Sequence, residues 1–92
     1  MLSADRESKI LARVRPLLAS IDPEIHLHNV VLDSTRQQLS FIMQKAEDPV
    51  VLGMDWLDYV SHRDEDLRER LAAGISERLE AAKRRREREE KD

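Results

Sequence analysis

His26 and His28 stand two residues apart, so on a strand both imidazoles point to the same side. Neutral imidazole is a common zinc ligand, and such a pair is part of a metal site if further ligands reach it. A third ligand would have to come from His62 or from a distant carboxylate. With no second local pair, a polar sheet face or edge strand is the simpler account, and no structural metal is expected. Nucleophilic chemistry has less to work with. None of Ser3, Ser8, Ser20, Ser34, Ser40, Ser61 and Ser76 lies in a Gly-x-Ser-x-Gly turn. Gly53 and Gly74 are the only glycines, too few for a phosphate-cradling loop. The chain has no cysteine, hence no thiolate nucleophile, disulfide or cysteine metal site. Carboxylates crowd between Asp55 and Asp66, but at an expected exposed helix start, whereas acid–base catalysis needs a partly desolvated cleft. No catalytic residue and no cofactor are expected, and the chain reads as a non-enzyme.

The elements that must position these residues come in a definite order. Ile10, Leu11, Val14, Leu17, Leu18 and Ile21 recur at helical spacing and define one buried face of a helix from Ser3 to Ile21. Ser3 is its expected N-cap, and Asp5 and Glu7 suit the positive end of the helix dipole. Pro16 is expected to kink or divide this helix, and Asp22-Pro23 to end it. A β-hairpin follows, with strands at residues 25–32 and 37–44 and a loop at 33–36 that lacks glycine. In the first strand the apolar set changes face near Asn29, the signature of a β-bulge. In the second, Leu39, Phe41 and Met43 form an inward row. Pro49 to Met54 has the length of a third, edge-type strand. Asp55 is placed to cap a short helix holding Trp56, Leu57, Tyr59 and Val60, and Asp64 to act as the acid of a capping box. Leu67, Leu71, Ile75, Leu79 and Ala82 then make a narrow stripe along a long helix, with Gly74 beside it as a point of close backbone approach.

The fold class expected is α+β: an N-terminal helix, an antiparallel hairpin with a third strand, and a long C-terminal helix. Its 92 residues make one small domain over 1–82, and residues 83–92, all charged, form a helical tail expected to fray except where pairs such as Glu80–Arg84 and Glu87–Lys91 hold it. No apolar stretch approaches the roughly 20 residues needed to span a bilayer. The charged start is unlike a secretory signal, and the cytoplasm of a bacterium or its phage is the expected location.

Charge is segregated beneath a net of −3. From Glu47 to Asp66 seven acids face Arg63 alone, whereas the first helix and the tail are each mildly basic. The acidic middle, with Asp55, Asp58, Asp64, Glu65 and Asp66, is a candidate surface for a basic partner, and Trp56 and Tyr59 are candidate interface anchors or seals on the core edge. Lys83, Arg84, Arg85, Arg86 and Arg88 are the alternative: a phosphate-contacting arm. The α-β-β-β-α order resembles the topology of double-stranded-RNA-binding domains, in element order alone. Asp64-Glu65-Asp66 opens the second helix where a phosphate-binding face would need lysines. The function expected is therefore a non-catalytic protein–protein interaction module, a small regulator, adaptor or inhibitor acting by surface occupation as a homodimer.

Overall fold

The computed structural model describes residues 4–90, with side chains through Arg88. Ser3 and Lys91, named above as a cap and a pairing partner, lie outside the described residues. The first helix, α1, spans Ala4–Ile21 and buries Ile10, Val14 and Leu18, one per turn. It is not divided at Pro16. Pro16 and Ala12 are both exposed, so the carbonyl that loses its intrahelical donor faces water, which can replace it. Asp22 ends the helix through its own backbone and side chain. Its N–H donates to the Leu18 carbonyl at 2.8 Å, and its Oδ1 accepts the Glu24 N–H at 3.0 Å, turning the chain into the sheet.

Strands β1 (Ile25–Asp33), β2 (Gln38–Lys45) and β3 (Asp48–Asp55) form an antiparallel meander in sequence order. The pairing of β1 with β2 shifts between Leu27 and Asn29, leaving His28 as the extra residue of a bulge. The bulge turns Val30 and Leu32 to the side already used by Ile25 and Leu27, so all four are buried while Val31 faces out. Phe41 and Leu39 at the centre of β2 are fully buried, and Met43, Val50 and Met54 complete the inner face. The loop between β1 and β2 comprises residues 34–37, one position later than expected, and Gln37 supplies the left-handed backbone (φ 54°) that a glycine would otherwise provide. Asp33 Oδ1 accepts the N–H groups of Thr35 and Arg36 in that loop.

A short helix, α2 (Trp56–Ser61), leads into the long helix α3 (Asp64–Glu90). Asp55 stands at the N-cap of α2 but makes no side-chain capping bond; its carboxylate instead accepts the Gln38 amide at 3.4 Å. The expected capping box at Asp64 is likewise absent: Ser61 is the last residue of α2 and its hydroxyl donates to the Asp58 carbonyl, while Asp64 is the first residue of α3 and accepts from Arg13 at 2.8 Å. Leu67, Leu71 and Ile75 are buried, with Leu79 half-buried behind them. Gly74 meets a side chain rather than a backbone: a Cβ there would lie 2.9 Å from Leu52 Cδ2. All three helices contribute to one core with the inner face of the sheet, and the outer face carries no described element.

Candidate functional site

Three surfaces are left over once this core is closed. The first lies where α1, α2 and α3 meet. Tyr59 is buried beside Phe41 (ring centroids 6.2 Å apart), and Trp56, half-buried, stacks on it at 5.6 Å. Arg13 packs over the Tyr59 ring at 4.9 Å and donates to the carbonyls of Tyr59 (3.1 Å) and His62 (2.6 Å) as well as to Asp64. Burial alone would lower the Arg13 pKa; the hydrogen bonds to Asp64 and Tyr59 outweigh it and raise it. Arg6 lies over the Trp56 ring at 5.6 Å. The two aromatics therefore seal the edge of the core, and the apolar residues of α2 that are exposed are Leu57, at 75%, and Val60.

The acids singled out from the sequence form no single cluster. Asp55 lies at the end of β3, Asp58 is half-buried on α2, and Asp64, Glu65 and Asp66 are exposed in the first turn of α3, where the dipole favours them. Of the bases, Arg84 pairs with Glu80 at 3.6 Å and Arg86 pairs with Asp48 on β3. Lys83, Arg85 and Arg88 are exposed and carry no ion pair among the described residues. Between α3 and the outer edge of β3 runs an open groove of about 830 Å³, lined in part by Leu52, Gly53, Met54, Asp66, Glu69 and Ala73.

The third surface is the outer face of the sheet. Cross-strand rows Val31–Ser40–Gly53 and Asn29–Ile42–Val51 make its centre. Val31 and Val51 are 46% and 49% exposed, and Ile42 between them is half-buried by its neighbours alone. His26 and His28 are both exposed at one end of this face, above a shallow hollow shared with Pro23 and Gln44; His28 Nε2 lies 3.2 Å from Gln44 Oε1. No group of three or more His, Cys, Asp or Glu side chains among the described residues is arranged to hold a metal ion. Below this end Lys45 bonds Asp22 at 2.6 Å. The Lys45 hydrogen bond, aided by the Glu24 N–H, holds the Asp22 carboxyl below its ordinary range, and the same bond raises the Lys45 pKa.

Sequence reasoning missed the valines as a surface because Val31 changes sides only once the bulge is placed, a step its own face switch at Asn29 implied. No described helix is long and apolar enough to cross a membrane. No family model, curated protein or solved structure matches the chain.

Proposed function

We propose that this protein is a non-catalytic interaction module that binds another protein through the outer face of its sheet. One observation carries the proposal: every described helix packs on the same side, so Val31, Ile42 and Val51 stay open on a rigid, low-relief platform. Apolar side chains on a preformed surface lose little conformational entropy when covered, which favours a protein partner. A sheet that reads single-stranded nucleic acid would present aromatic rings and cations there. The strands present no Phe, Tyr or Trp ring and no Lys or Arg on this face: its ring-bearing residues are His26 and His28, and Phe41 points into the core. Localisation in the cytoplasm and action as a regulator, adaptor or inhibitor belong to the same proposal.

The second reading, a phosphate-contacting arm, rests on Lys83, Arg85 and Arg88, which are exposed and form no ion pair among the described residues. Affinity capture from the source cell, before and after nuclease treatment, separates the two. A specific protein that survives nuclease and is retained by a chain truncated after Ala82 supports the proposal. Recovery of nucleic acid alone, abolished by that truncation, overturns it.

A further inference from the structure

The connection between β2 and β3 is the two residues Ala46 and Glu47, and Trp56 N–H donates to Gln37 O at the other end of the pair. Antiparallel pairs alternate between bonded and non-bonded, so the backbone groups of Asp48, Val50, Leu52 and Met54 serve β2. Those of Pro49, Val51, Gly53 and Asp55 point away from it. Pro49 suits that pattern, having no N–H to waste. Gly53 is not required by the fold: its φ is not positive, and a Cβ there would meet nothing within 4 Å. A glycine inside a strand weakens it and commonly marks the close approach of another backbone.

The helix above this edge turns charges of both signs toward it. Glu69, Arg70, Glu77 and Arg78 line the groove, are all exposed and make no ion pair among the described residues. The helix also runs obliquely. Its start is tied to α1 through Arg13–Asp64 and Arg68–Ser20, whereas its far end reaches the β3 edge through Arg86–Asp48. The groove beside Leu52, Gly53 and Met54 is the space this slant leaves open.

We infer that the groove and the β3 edge are occupied by a second copy of this chain, its β3 antiparallel to the first across a two-fold axis near Leu52. Val51 of each copy then bonds Gly53 of the other, and the sheet becomes continuous over six strands. The same axis sets the two α3 helices antiparallel on one side of the sheet. It passes near Gly74, whose missing side chain is already replaced by Leu52, and near Ala73, a small residue lining the groove. At a rise of about 1.5 Å per residue, Glu69 and Arg78 lie about 7.5 and 6 Å on either side of Gly74, and Arg70 and Glu77 about 6 and 4.5 Å. Glu69 of one copy thus comes abreast of Arg78 of the other, and Glu77 of Arg70. The inference shares with the proposal above only the premise that the chain works through protein contacts; it uses the sheet edge, not the outer face.

The test is the solution mass of the full chain at tens of micromolar, read by sedimentation equilibrium at low and high salt. Twice the 10.7 kDa chain mass is expected at low salt, shifting toward one chain mass as salt rises. Gly53→Pro removes an N–H that β2 does not use and places its ring in open space, so it should keep the circular dichroism of wild type while giving the single-chain mass, with the urea midpoint lowered only by the loss of the partner copy. Glu69→Lys with Glu77→Lys should weaken the dimer at least tenfold, and adding Arg70→Glu with Arg78→Glu should restore it. A wild-type mass of one chain overturns the inference. So does a dimer indifferent to both sets of changes, which would place the contact elsewhere. A single-chain mass together with nuclease-resistant capture of a protein would refute the dimer and leave the outer-face proposal standing.

Discussion

The two faces of the sheet are made by the same three strands and have opposite fates. On one, Leu39, Phe41 and Met43 are sealed under three helices; on the other, one residue away along each strand, Val31, Ile42 and Val51 meet solvent. Apolar residues on the first face drive folding, because their removal from water is complete. Those on the second contribute little to folding, and their exposure is what the proposed partner would remove. The difference teaches that in a domain this small, residue type alone does not separate core from exposed surface; the register does.

The largest expected effect lies on the covered face. Phe41→Ala empties the centre of the core and should cost about 3–5 kcal/mol, most of the stability of a domain of this size. Val51→Ala, on the uncovered face, should cost less than about 1 kcal/mol. Urea unfolding followed by circular dichroism measures both, and equal losses would mean that the outer face is packed after all.

Next in size is the junction of the helices. Arg13→Ala removes hydrogen bonds to Asp64 and to two carbonyls and should cost about 2 kcal/mol in the same assay. Arg13→Lys should recover only part of that, since an ammonium cannot serve several acceptors with the fixed fork of a guanidinium.

The smallest effect is acid sensitivity at the histidine end of the sheet. Asp22 is held below its ordinary value of 3.8 by Lys45, so its contribution is intact above that pH. It is lost as pH falls through the lowered folded value. Lys45 is the mirror case: its raised value keeps the contribution intact below 10.5, and it fades as pH rises through the raised value. Asp22→Asn should flatten the fall in urea midpoint below about pH 4. An unchanged slope would assign that fall to other carboxylates.

Much of the fold was legible because it rests on periodicity. The Leu39-Phe41-Met43 alternation fixed the central strand, and the change of face at Asn29 marked the bulge that the pairing shows between Leu27 and Asn29. What was not legible depends on distant partners. Arg13 looks from sequence like any cation on a helix, but its partners lie 46 to 51 residues further along. Asp64 is not a capping acid because α2 runs through Ser61 and α3 begins at Asp64 itself. Gly74 was visible as an anomaly, yet only the packing of Leu52 against it identifies the neighbour as a side chain. Trp56 and Tyr59 stood out by type, but type could not say that Arg6, Arg13 and Phe41 enclose them.

The central claim, that the uncovered face of the sheet is where a partner protein binds, is tested most directly by a paired measurement on Val31→Lys with Val51→Lys. Both side chains are about half exposed, so the lysine stems can lie along the sheet with their ammonium groups in water. The account predicts a urea midpoint close to wild type together with loss of the nuclease-resistant protein partner. Undiminished capture by a variant that folds as the wild type does would contradict it.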